Sequence, residues 1–62
     1  MEYKFEYALF SPSRNAYYTG EAGDAWIGPL PFTYTEDGAH RKASIFNRGA
    51  FAVRDWQVVR YF

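Results

Sequence analysis

A chain of 62 residues has room for one domain with one small core, so residues 1–62 are expected to fold as a single unit. The chain contains no cysteine, which excludes a disulfide framework and a cysteine-ligated zinc as sources of stability. Because its net charge is zero, the chain as a whole has no electrostatic attraction to nucleic acid or to an anionic membrane. Aromatic residues make up 23% of the chain, so we expect packing of their rings to stabilise the core.

The N-terminal third predicts a hairpin. Residues 2–10 alternate between apolar and polar side chains, which is the period of a half-buried strand. The turn-forming stretch SPSRN follows at 11–15, and strand formers continue over 16–22. The apolar positions of the first strand are Tyr3, Phe5, Tyr7 and Leu9.

The middle of the chain predicts a loop and then a helix. Pro29 and Pro31 lack backbone donors, so residues 24–32 form a loop or at most an edge strand, with a third short strand expected at 32–35. The next segment, EDGAHRKA, predicts a short helix. Thr33 together with Glu36, or Thr35 by itself, would cap its N-terminus.

The C-terminal third predicts a second helical turn and a last strand. Asn47 is expected to cap a helical turn over 48–54, and the sequence DWQVVRYF predicts a strand over 55–62. Its two faces would carry Trp56, Val58 and Arg60 on one side and Gln57, Val59 and Tyr61 on the other. The predicted class is a small α+β fold: an antiparallel sheet of three to four strands with one or two short helical segments.

Catalytic and metal chemistry find little support in the sequence. Ser11, Ser13, Ser44 and His40 are the nominal parts of a hydrolase triad, but no nucleophile elbow surrounds a serine. One histidine without a thiolate does not make a metal site, and the glycines lack a phosphate-loop pattern. We therefore expect no enzyme, no metal and no cofactor.

The segment AWIGPLPFTY at 25–34 predicts binding to a protein partner. Its apolar residues would partly cover the core and partly be displayed on a proline-stiffened loop, which favours binding. Residues 1–38 carry six carboxylates and two basic side chains, so an acidic rim flanks this loop. The expected partner-binding residues are Glu21, Asp24, Trp26, Phe32, Tyr34, Glu36 and Asp37.

Scattered positions also carry a resemblance to known proteins. YYTG at 17–20, Trp26, KASIF at 42–46 and WQVV at 56–59 resemble very small phage and mobile-element proteins of strand-strand-helix-strand type. That resemblance implies a phage-type inhibitor, similar to anti-CRISPR proteins, that binds a bacterial CRISPR surveillance complex or a nuclease and blocks nucleic-acid access. It implies no catalytic residue, and GPLPF departs from the usual layout.

Two alternatives remain. Tyr3, Tyr7, Tyr17 and Tyr18 with Lys4 and Arg14 would let the chain bind single-stranded nucleic acid by stacking, and the apolar loop would equally suit a homo-oligomer. No signal peptide or membrane span is apparent, so a cytoplasmic location is expected, in the host cytoplasm for a phage protein.

Overall fold

The computed structural model describes residues 5–21, 23–50 and 52–61. It contains an antiparallel sheet of four strands in the order β3-β2-β1-β4, together with the helix α1. The predicted α+β class is confirmed. The elements are β1 (Tyr7–Ser11), β2 (Ala16–Tyr18), β3 (Ile27–Gly28), α1 (Glu36–Ile45) and β4 (Gln57–Arg60).

The predicted hairpin is confirmed, with shorter strands. Phe10 lies opposite Tyr17 in the register of β1 and β2, and a four-residue turn joins the strands. The first strand begins at Tyr7, and its predicted residues 2–4 lie outside the described residues. β2 stops at Tyr18 and does not reach 22, because the chain turns at Gly20 with a φ of 78°.

The proline-containing segment supplies the edge strand. A 3₁₀ turn (Gly23–Trp26) leads into β3, which pairs with β2 through Ile27 opposite Tyr18. The strand predicted at 32–35 is reduced to one bridge, in which Tyr7 and Tyr34 exchange two backbone hydrogen bonds of 3.0 and 2.7 Å. Pairing ends there because Thr35 already caps the helix.

Helix α1 begins where the cap predicts. The hydroxyl of Thr35 accepts a hydrogen bond from the Gly38 N–H at 3.2 Å. The helix runs to Ile45, past the predicted 36–43, and continues as a π-type turn (Phe46–Ala50) that is broken at Gly49, whose φ is 115°.

The prediction that Asn47 caps a second helical turn is wrong. Asn47 lies inside the π-type turn, and its amide bonds the backbone of Trp56. Residues 52–56 are not helical. The side chain finds a partner nine residues later in the chain, which removes it from the local capping role.

The core lies between α1 and one face of the sheet. Register confirms the two predicted faces of β4, because Leu9 lies opposite Val58 and Ala8 opposite Val59. The buried cluster on the helix side consists of Leu9, Ala39, Ala43, Phe46, Val53 and Trp56. Tyr18 and Trp26 pack against it from the sheet and the loop.

Candidate partner-binding surface

Leu30 and Phe32 form an exposed apolar tip. Leu30 is 73% exposed and Phe32 is 51% exposed, and Pro29 and Pro31 flank Leu30. Prolines fix φ, so little backbone freedom is left for this tip to lose when it meets a partner. We refer to these two residues as the apolar tip.

The backbone on both sides of the tip is fixed to the sheet. Before it, Ile27 pairs with Tyr18 in the β2–β3 ladder. After it, the Phe32 N–H donates to the Tyr18 carbonyl at 2.9 Å. The tip is therefore a short bend closed at its base.

The ring of Phe32 is also held in place. Its centroid lies 5.0 Å from that of Tyr34, with the planes tilted by 50°. On another side it covers Gly20, where an added Cβ would lie 2.7 Å from Phe32 Cδ2. Phe32 thus presents part of its ring to solvent from a fixed position.

Trp26 and Tyr34 are only half-exposed and support the core. The ring of Trp26 meets that of Trp56 edge to face, with centroids 6.1 Å apart. Burial, together with the nearby Tyr18 hydroxyl, raises the pKa of Tyr34 to about 12. Of the expected apolar contact residues, Phe32 remains displayed, while Trp26 serves mainly as a lid on the core.

The carboxylates expected at the rim all face solvent. Glu21 directly follows Gly20 beneath the Phe32 ring, and Glu36 opens α1 one residue after its cap. Asp37 pairs with Arg41 at 3.2 Å one helical turn later, and both side chains are exposed. Asp24 lies on the exposed 3₁₀ turn. These carboxylates occur on the two chain segments that flank the tip.

The sequence predicts that most of the apolar residues Trp26, Ile27, Leu30 and Phe32 cover the core and that the rest are displayed. Trp26 and Ile27 pack against the core, whereas Phe32 and Leu30 are exposed, and Leu30 is not among the expected partner-binding residues. The proline on each side of Leu30 was the available signal, because proline lacks an N–H donor and favours a bend at the surface.

Ser11, Ser13 and Asp55 come together in space, as two of the residue types of a hydrolase triad. The buried Ser11 hydroxyl donates to Asp55 Oδ1 at 2.6 Å, and the Ser13 N–H donates to Oδ2 at 2.8 Å. These bonds hold the pKa of the Asp55 carboxyl below its usual value. His40 is exposed on α1. The Asp55 carboxylate ties the hairpin turn to the segment before β4.

Within the described ranges, no three potential metal ligands cluster and the surface encloses no pocket. In the same ranges, no helix has the length and apolar character needed to cross a membrane.

The tyrosines proposed as a stacking platform do not share one surface. Tyr7 and Tyr18 pack toward the core under α1, whereas Tyr17 lies on the other face. There its ring contacts Phe10 at 5.1 Å and Tyr61 at 5.5 Å. Tyr3 and Lys4 lie outside the described residues.

Comparisons with models of known protein families, with curated protein sequences and with solved structures give no match to this chain.

Proposed function

We propose that this chain is a non-enzymatic protein-binding module that contacts its partner through the apolar tip. The observation that carries this proposal is the exposure of Leu30 and Phe32 on a bend whose base is fixed to the sheet at Tyr18. Fixed apolar and aromatic side chains make good interface anchors, because little entropy is lost when they are buried.

The test is affinity capture with matched variants. Leu30→Asp places a charge on the tip, and Ile45→Asp places one on another exposed apolar residue, which is 51% exposed near the end of α1. We expect a partner protein that is retained by the wild-type chain and by Ile45→Asp, and lost with Leu30→Asp. Retention of the same partner by all three proteins would contradict the proposal.

The sharper form of the proposal is a phage-type inhibitor that acts in the host cytoplasm on a nucleic-acid-targeting complex, such as a CRISPR surveillance complex or a nuclease. Exposed carboxylates on both sides of the tip support this form, because a groove that binds phosphates is basic. They would occupy that groove while the tip fills an apolar part of it.

Charge reversal tests the inhibitor form separately. Lysine at Glu21, Asp24 and Glu36 should abolish inhibition of the susceptible complex, whereas the control Lys42→Glu, at an exposed position of α1, should preserve it. Asp37 is left unchanged because it already pairs with Arg41. If inhibition survives the triple reversal but is lost with Leu30→Asp, the module binds through its tip without imitating phosphates.

Binding of single-stranded nucleic acid is the second candidate, favoured by the rings of Phe10, Tyr17 and Tyr61 on the sheet face opposite α1. Fluorescence anisotropy with labelled oligonucleotides at low salt separates the two candidates. Affinity that falls steeply with salt and is lost with Tyr17→Ala would favour this candidate over protein binding.

A further inference from the structure

The outer edge of β4 carries backbone groups that point away from the sheet. The Tyr61 N–H donates to the Glu6 carbonyl at 2.6 Å, so this pair is hydrogen-bonded, and such pairs alternate along an antiparallel ladder. Leu9 and Val58 are opposite each other at a non-hydrogen-bonded position. The N–H and C=O of Val58 therefore point outward, and those of Trp56, two residues earlier, have the same orientation.

The side chain of Asn47 occupies the outward groups of Trp56. Asn47 Nδ2 donates to the Trp56 carbonyl at 3.0 Å, and the Trp56 N–H donates to Asn47 Oδ1 at 2.8 Å. The Asn47 amide thus supplies one donor and one acceptor to Trp56, as the backbone of a paired residue on a neighbouring strand would. For Val58, the described part of the chain provides no such partner.

We propose that Asn47 closes a strand-pairing edge through which two copies of this chain would otherwise join. Trp56–Val58 contains neither a charge nor a proline, so nothing within it repels or blocks an identical strand. The opposite edge is different, because Pro29 and Pro31 follow β3 and lack backbone donors.

One symmetric register of the uncovered edge confines the pairing to the uncharged stretch Trp56–Val58. Trp56 would pair with Val58 of the second copy, and Val58 with its Trp56, which forms two hydrogen-bonded pairs and four backbone bonds. The two copies of Gln57 would then face each other at the two-fold axis, in a non-hydrogen-bonded pair whose Cβ atoms lie close together. In the wild-type chain, Asn47 occupies the position of the incoming strand.

Cysteine crosslinking tests this register directly, because the chain has no cysteine of its own. Under mild oxidation we expect Asn47→Ala/Gln57→Cys to form a disulfide-linked dimer and Gln57→Cys alone to stay monomeric. The control Asn47→Ala/Val59→Cys should not crosslink, because Val59 lies away from the axis. Equal crosslinking with and without Asn47, equal crosslinking at Val59, or a folded Asn47→Ala variant that sediments only as a monomer would overturn the proposal.

Hydrogen exchange on the wild-type chain gives a test that does not depend on the variant folding. The Trp56 amide should be protected by the Asn47 carbonyl oxygen, while the outward Val58 amide exchanges much faster. If the two amides exchange at the same rate, Asn47 does not cover the edge and the proposal fails.

Discussion

At the scale of single residues, Gly20 determines where the Phe32 ring can lie. Its φ of 78° belongs to the left-handed region, and the Phe32 ring lies over its Cα. A side chain at Gly20 would therefore disturb both the local backbone and the base of the apolar tip. Gly23 provides a comparison, since its φ is 67° but an added Cβ would meet open space.

Alanine at the two glycines should separate these effects. Gly23→Ala should lower the free energy of unfolding by about 1 kcal/mol, the cost of a left-handed alanine. Gly20→Ala should cost more, roughly 2–3 kcal/mol, because the Phe32 ring must also move. Urea denaturation measures both variants. Equal losses would show that the contact between Gly20 and Phe32 does not constrain the fold.

Asp55 should make the stability of the folded chain depend on pH in the acidic range. Its pKa lies below the ordinary 3.8 because first the Ser11 hydroxyl and then the Ser13 N–H bond the carboxylate. A group with a lowered pKa in the folded chain contributes stability above its ordinary pKa, and that stability disappears as the pH falls through the lowered value. Denaturation midpoints of the wild-type chain should therefore fall on acidification below about pH 4.

The variant that tests this is Asp55→Asn. With the titrating group removed, Asp55→Asn should show a flatter acid dependence than the wild-type chain. The same slope in both proteins would mean that the bonds to Ser11 and Ser13 do not favour the folded carboxylate.

At the scale of elements, the cap at Thr35 determines where α1 begins. Thr35→Ala removes the acceptor for the Gly38 N–H and should cost about 1 kcal/mol of stability. Thr35→Ser keeps the hydroxyl and should restore most of it. Chemical denaturation followed by far-UV circular dichroism gives both values. A Thr35→Ser variant as unstable as Thr35→Ala would contradict a capping role.

Elements whose signals are local were predictable, and those that depend on distant partners were not. The hairpin, the cap at Thr35 and the two faces of β4 follow from periodicity and turn chemistry within a few residues. Asn47 has a good local reason to cap a helix, but its bonds to Trp56 depend on how the chain returns to the sheet. Likewise, Asp55 lies 44 positions after Ser11 in the chain, and no spacing rule links them.

The candidate site shows the same division. An apolar, proline-containing loop with carboxylates nearby was visible in the sequence, as was its division between core and surface. Whether a given loop residue is buried or exposed depends on packing against Trp56. The Trp26 ring packs against the Trp56 ring, whereas the apolar tip stays exposed.

At the scale of the whole molecule, the loop over 25–34 performs two separable tasks. Trp26→Ala should cost about 2–4 kcal/mol of stability, because it removes a half-buried ring from the aromatic core. Leu30→Ala should leave stability nearly unchanged, since the side chain is largely exposed, and should weaken partner binding. Thermal denaturation and binding measured on the same samples would show this. A large loss of stability with Leu30→Ala would place the tip in the core.

The contact between Trp26 and Trp56 also has an optical consequence. The chain has two tryptophans, and both rings are held together in one edge-to-face pair. Rings in fixed asymmetric contact give near-UV circular dichroism, and that signal disappears when tertiary packing loosens while secondary structure persists. The folded chain therefore carries an intrinsic, label-free spectroscopic reporter of whether its loop is seated on the core.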